Sequence, residues 1–241
     1  MKDSISIIIP AYNEEHSLEE SVKVAASVVS KEVTDYEIII VNDGSTDATG
    51  KIANRIRKRN SRVKVIHHKY NEGFGSTFKD GLRIASNKYI TGFPADNDLY
   101  KETFRDIVTA RKNDCIVITY MSDMSQRDIT RQIISICYTK MMNFIFGLKL
   151  KYYNGYFICP AEMVKSLNLK SQGFTLFAEI KIKLIKNGMK YIQIPYVCAP
   201  RLWGASKALT RKSIIQTLSM IPILISDMHF DVARPTHSGK Q

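Results

Sequence analysis

The feature that most constrains this chain is an alternation. Short runs of β-branched residues at 5–9, 37–41, 63–67 and 89–93 are each followed by a stretch long enough for an amphipathic helix. A strand, a helix and a further strand in succession imply parallel pairing, because the crossover helix returns the chain to the same end of the sheet while covering one of its faces. Three consecutive isoleucines at 7–9 and again at 38–40 suit central strands covered on both faces, although such runs alone would also fit a buried helix. The pattern predicts an α/β fold: a single Rossmann-like domain with a mostly parallel central sheet. With 241 residues, 44% of them hydrophobic, the chain can fill one substantial core.

The second half is less regular. A strand is expected at 116–119, helices near 129–146 and 176–186, the latter stopped by Asn187-Gly188, and a further strand at 191–197. Residues 212–230 read as an amphipathic helix around Pro222. The expected division is a catalytic domain over 1–210, a C-terminal amphipathic helical segment over 211–230 and a tail over 231–241 without fixed structure.

In an open parallel sheet, ligands bind beyond the carboxyl ends of the strands. The four segments there all carry carboxylates: Pro10-Ala-Tyr-Asn-Glu-Glu15, Asn42-Asp-Gly-Ser-Thr-Asp47, Lys69-Tyr-Asn-Glu-Gly-Phe-Gly75 and Pro94-Ala-Asp-Asn-Asp-Leu99. Asp96 and Asp98, separated by one residue at a strand end, can both reach a hard divalent cation, Mg2+ or Mn2+, whose remaining positions a diphosphate would fill. The same tripeptide could instead be a polar turn capping a helix that begins near Lys101. Asp43-Gly44-Ser45 is open to two readings as well: a turn with Ser45 or Thr46 capping the next helix, or an acidic group hydrogen-bonding a nucleoside. Gly73-Phe-Gly75 lacks the third glycine of a dinucleotide fingerprint, no phosphate-cradling GxxxxGK[ST] occurs, and His67-His68 lacks the spacing of a zinc site. Arg201-Leu-Trp-Gly-Ala-Ser-Lys207 sets two cations around a glycine, which suits a loop closing on phosphates as well as a solvated basic loop.

Thirty-five Lys and Arg against 23 Asp and Glu give a formal charge of +12, which favours anionic partners. The dispersed cysteines, 115, 137, 159 and 198, form no CxxC pair, so a reducing, cytoplasmic setting is expected. The apolar run near the N-terminus is too short for a signal-peptide core, and no apolar stretch approaches the roughly 20 residues of a membrane span. Lys207, Arg211 and Lys212 lead into an apolar segment, so peripheral contact with an anionic membrane face is expected. A nucleic-acid-binding role would draw on Arg55-Ile-Arg57-Lys-Arg59, but cations late in a helix are ordinary, and no nucleic-acid partner is expected. A sugar nucleotidyltransferase would need a glycine-rich basic loop after the first strand, where this chain has Tyr12-Asn-Glu-Glu15.

Taken in order, Ile-Ile-Ile-Pro-Ala-Tyr-Asn-Glu-Glu at 7–15, Ile-Ile-Val-Asn-Asp-Gly-Ser-Thr-Asp at 39–47, Asn-Glu-Gly-Phe-Gly at 71–75, Asp-Asn-Asp at 96–98 and the 201–207 loop resemble family-2 glycosyltransferases. With Tyr153-Asn-Gly-Tyr156 and Gly173-Phe-Thr-Leu-Phe-Ala-Glu179, the resemblance is greatest to the polyprenyl-phosphate, dolichol-phosphate mannose synthase-like branch. It implies a GT-A type fold and an inverting, metal-dependent hexosyl transfer from a nucleoside diphosphate sugar to a lipid-phosphate or glycan acceptor. It further implies that Pro10, Ala11, Tyr12, Glu14, Asp43 and Lys79 surround the nucleotide. Asp96 and Asp98 would hold the metal, Asp96 also bordering the nucleotide, and Arg201 and Lys207 would close over the donor phosphates. Glu179 is a candidate base should the acceptor be a sugar hydroxyl. The chain departs from that branch in two segments: 153–157 is neutral and aromatic where an acidic and a basic residue are usual, and Tyr120-Met-Ser122 stands where an Arg is common.

Overall fold

The computed structural model describes residues 3–125, 127–197 and 211–231, with backbone alone at 211–214 and 228–231. Seven strands form one sheet: β1 (Ser4–Ala11), β2 (Asp35–Asn42), β3 (Val63–His67), β4 (Tyr89–Gly92), β5 (Cys115–Met121), β6 (Phe157–Pro160) and β7 (Lys190–Tyr196), in the order β3-β2-β1-β4-β6-β5-β7. All adjacent strands pair in parallel except β6, which runs antiparallel to both β4 and β5. The expected alternation holds through the first four strands, where α1 (Leu18–Glu32), α2 (Thr49–Arg59) and α3 (Phe74–Ile84) supply the crossovers, and α4 (Lys101–Thr109) leads on to β5.

The isoleucine runs explain why β1 and β2 sit at the centre. Ile7, Ile8 and Ile9 are all fully buried, but they face opposite ways. Ile7 and Ile9 pack with Leu18, Val22 and Val29 of α1 and with Phe104 and Ile107 of α4, whereas Ile8 packs with Phe78 and Leu82 of α3 and with Phe177. Each buried isoleucine contributes roughly 1.5–3 kcal/mol through removal of apolar surface from water. Close approach of α3 depends on Gly81, where a Cβ would meet Ile8 Cγ2 at 2.7 Å.

Beyond β5 come α5 (Ile129–Phe146), α6 (Ala161–Lys165), α7 (Leu176–Lys186) and α8 (Arg211–Asp231). Asp128 caps α5 by accepting from the Arg131 amide at 2.9 Å, and Gly147 ends it at φ 59. Gly188, at φ 89, follows the end of α7 as its Asn-Gly stop predicts. Met220 and Leu224 of α8 are buried, and Asp227 binds Lys170 and, at 3.0 Å, Lys183. Part of the predicted amphipathic segment is thus fixed to the domain. Its Ile215 and Leu218 are exposed.

Sequence reasoning did not anticipate β6 and α6. Four residues carry too little periodicity to reveal β6, and it enters from the carboxyl edge of the sheet without a crossover helix. The second helix also begins later than expected: neither Ser45 nor Thr46 caps α2, and the Thr49 amide donates to Asp47 Oδ1 at 2.9 Å instead.

Candidate active site

The strand order reverses between β1 and β4, so the loops leaving their carboxyl ends turn apart and open a crevice. Because β6 is antiparallel, the residues entering it arrive at that same edge. Pro10 and Ala11 end β1, and Tyr12 and Glu14 lie half-buried just beyond it.

The loop after β1 is laced to the loop after β2. Asn13, in the left-handed region at φ 56, donates its amide to Ser45 Oγ at 3.0 Å and accepts from the Thr46 amide at 2.9 Å. The Glu14 amide donates to Thr49 Oγ1 at 2.7 Å, and Glu15 Oε2 accepts from the Ala48 amide at 2.8 Å. Ser17 Oγ donates to Glu14 Oε2 at 2.9 Å and so orients that carboxylate.

Asp43 is 4% exposed, and its carboxylate accepts from the Glu72 and Gly73 amides at 2.8 and 3.0 Å. His68 bonds Asp43 through Nδ1 and Asp80 through Nε2, each at 2.9 Å. Both ring nitrogens face carboxylates, an arrangement that favours the imidazolium. Burial opposes that charge, but the hydrogen bond to Asp43, the negative charges of Glu72 and Asp43 and the hydrogen bond to Asp80 outweigh it and raise the pKa above the ordinary 6.5. His68, Glu72 and Asp80 lie close enough together to resemble a cation cluster. The ring nitrogens of His68 are already directed at Asp43 and Asp80, so the group reads as a clip between loop and helix. The loop it secures packs on a neighbour: the Gly75 amide donates to the Gln172 carbonyl at 2.9 Å, and a Cβ at Gly75 would lie 2.5 Å from the Gln172 backbone. Lys79 lies half-buried in α3.

Asp96, Asn97 and Asp98 form a half-buried turn after β4. Asn97 adopts φ 57, its Oδ1 is buried without a hydrogen-bond partner, and the Asp98 amide approaches Asp96 Oδ1 at 3.4 Å. The helix beyond starts after Tyr100, whose side chain makes no capping hydrogen bond. Asp98 Oδ1 accepts from the Tyr156 hydroxyl at 2.7 Å. Two anionic carboxylates beside an orphaned amide oxygen form an all-oxygen set, which fits a hard divalent cation.

The structure gives Glu179 a different position from that of the expected base. It is fully buried in α7, accepting from the Lys170 amide at 2.9 Å, the Ser171 amide at 2.8 Å and Lys183 Nζ at 2.8 Å. A carboxylate so enclosed holds the 170–171 backbone in place. Arg201 and Lys207 lie outside the described residues. The roles of two further residues were not read from the sequence. His68 could have been found from its place directly after β3, but nothing in the chain marks Lys181, which is fully buried and donates to the carbonyls of Tyr153 and Gly155 at 2.6 and 2.5 Å.

Fold and site together define an α/β domain of the nucleotide-binding kind with an acidic pair at its switch point. Residues 6–165 match the model of glycosyl transferase family 2, and the chain belongs to that family. An uncharacterized glycosyltransferase of Haemophilus influenzae is 38% identical over 113 residues, 46% of this chain and 34% of the relative. A poly-beta-1,6-N-acetyl-D-glucosamine synthase of Staphylococcus epidermidis is 33% identical over 94 residues, 39% of this chain and 22% of the synthase. The chain therefore spans about a third or less of the length of these curated relatives. Among solved structures, glucosyl-3-phosphoglycerate synthase from Mycobacterium tuberculosis in complex with Mg2+ and uridine diphosphate superposes with a TM-score of 0.64 at 19% identity, covering 90% of this chain and 79% of that one. The fold is of the GT-A type.

Proposed function

We propose that this chain is an inverting glycosyltransferase that moves a hexose from a nucleoside diphosphate sugar to a lipid-linked phosphate, with Mg2+ or Mn2+ held by Asp96 and Asp98. The observation that carries this reading is the turn after β4, with two half-buried carboxylates flanking the orphaned Asn97 oxygen. The cation, when bound, neutralises charge developing on the departing diphosphate. Pro10, Ala11, Tyr12, Glu14 and Asp43 border the nucleotide. Asp43 acts there mainly by fixing the loop at 71–73, because its carboxylate already serves His68 and two amides. Lys79 adds positive charge near the nucleotide. Arg201 and Lys207 contribute to the same neutralisation from their loop.

A lipid phosphate is already ionised and needs no general base, which agrees with the engagement of Glu179 elsewhere. On that side of the sheet, a cavity of about 270 Å3 beyond the end of β5 combines apolar Met121, Ile136 and Leu150 with cationic Lys140 and Lys151, a lining suited to an anionic amphiphile. A sugar hydroxyl as acceptor is favoured by one observation, the neutral aromatic segment at 153–157. Incubating the purified chain with a panel of nucleotide sugars, Mn2+ and either a polyprenyl phosphate in detergent or an oligosaccharide decides between them by mass spectrometry. Glycosylated lipid phosphate is the expected product, and transfer to the oligosaccharide alone overturns the acceptor.

We also propose that the chain works at the cytoplasmic face of an anionic membrane. Among the described residues, no helix is long and apolar enough to cross one. Instead α8 exposes Ile215 and Leu218, and the whole chain carries +12. Ile215→Glu with Leu218→Glu should reduce cosedimentation with phosphatidylglycerol vesicles at least threefold at low salt; unchanged binding removes this proposal.

A further inference from the structure

The Tyr156 hydroxyl approaches the acidic turn from the other half of the molecule. Tyr156 immediately precedes β6, and the antiparallel direction of that strand brings it to the edge where β4 ends. Its Oη donates to Asp98 Oδ1 at 2.7 Å, and its ring stands edge-on to Tyr196 at a centroid distance of 6.0 Å.

The backbone carrying this tyrosine is held from several sides. The Thr119 amide donates to the Tyr156 carbonyl at 2.9 Å. Lys181 Nζ grips the carbonyls of Tyr153 and Gly155. A Cβ at Gly155 would come within 2.1 Å of the Thr119 carbonyl oxygen, so the loop lies flat against β5. Tyr153 Oη donates to Asn143 Oδ1 at 2.9 Å and anchors the loop to α5. The buried Lys181 amine, whose burial pushes its pKa well down, holds the loop through its hydrogen bonds to the two carbonyls. That loop delivers the donor to Asp98.

We propose that Tyr156 is a positioning residue for the cation site, orienting the Asp98 carboxylate by its hydrogen bond without neutralising it. The inference rests on the proposed cation role of Asp96 and Asp98. Hydrogen-bond donors behind a metal-binding carboxylate set the direction of its lone pairs, and losing one typically weakens metal affinity about 10–100-fold. It also gives the neutral aromatic segment at 153–157 a role within this chain: the loop that borders the acceptor half holds the cation ligand of the donor half.

The test is Mn2+ binding to the full chain, followed by electron paramagnetic resonance, at saturating concentration of the nucleoside diphosphate that gives the largest thermal shift among UDP, GDP, dTDP and CDP. Tyr156→Phe keeps the ring and removes the hydroxyl. Tyr153→Phe is the control, because it removes a hydroxyl from the same clamped loop with no contact to Asp98. The expected result is Mn2+ affinity about 10-fold weaker for Tyr156→Phe, within twofold of wild type for Tyr153→Phe, and transfer by Tyr156→Phe recovering at high Mn2+ with little loss of kcat. Equal weakening in both variants, or none in Tyr156→Phe with its circular dichroism intact, overturns the positioning role while leaving the cation site standing. Absence of Mn2+ binding by wild type overturns the cation site and this inference with it.

Discussion

The same parallel strands carry a polar cluster at each end, and the two clusters differ in how completely they are satisfied. At the amino end, Glu37 is 6% exposed and accepts from Ser6 Oγ and the Ser86 amide, both at 2.6 Å, while Lys64 pairs with it at 2.5 Å. Burial works against that charge, but these donors outweigh it and hold the Glu37 pKa below the ordinary 4.5. At the carboxyl end, Asp96 and Asp98 stay half-buried beside an amide oxygen that no group satisfies. A carboxylate surrounded by matched donors is spent on the fold. The proposed cation chemistry falls instead where half-buried carboxylates flank an amide oxygen left without a partner.

The largest expected effect of separating these roles falls at the open end. Asp98→Ala should lower metal-dependent transfer at least about 100-fold, a loss on the order of 3 kcal/mol of transition-state stabilisation, while the melting temperature moves by no more than a few degrees. Kinetics and thermal melts of the purified variant check both halves. Turnover within a factor of a few of wild type would remove the cation assignment.

The closed end should respond in the opposite way. Glu37→Gln places an amide group opposite the Ser86 amide and strips Lys64 of its partner, and should cost about 2–3 kcal/mol of stability, discounted for the half-exposed lysine, without changing kcat/KM. A depressed carboxyl pKa contributes stability that is complete above the unfolded value of 4.5 and is lost as pH falls through the lower folded value. Urea melts of wild type and variant should therefore converge on acidification below pH 4.5. Parallel curves there would show that Glu37 acts through shape alone.

This contrast also explains what the sequence disclosed. The central strands were legible because isoleucine runs at 7–9 and 38–40 are dictated by burial on both faces, and the Asp96-Asn-Asp98 turn because its residues are adjacent. Asn187-Gly188 was legible for the same local reason. The surroundings of Glu179 were not legible, since its partners are backbone amides eight and nine residues away and leave no trace in composition. The Tyr156–Asp98 contact spans 58 positions, and the short antiparallel strand that creates it has no periodicity to announce it. Local chemistry is written in the chain, whereas the assignment of a carboxylate to fold or function depends on partners that only the topology supplies.

His68 offers the finest distinction, because its clip lies at the open end yet is built like the closed one. Its raised pKa means that the stabilisation is fully present below the unfolded value of 6.5 and fades as pH rises through the higher folded value, the reverse of the Glu37 case. His68→Asn keeps some hydrogen bonding and loses the charge. The stability gap between wild type and this variant should be about 1–2 kcal/mol near pH 6 and should shrink at alkaline pH, as read from melting temperatures between pH 5.5 and 9. Nucleotide affinity should follow the same curve, because the imidazolium holds Asp43 and the loop at 71–73 in one arrangement. A gap constant across that range would mean that His68 holds the loop by shape and neutral hydrogen bonding alone.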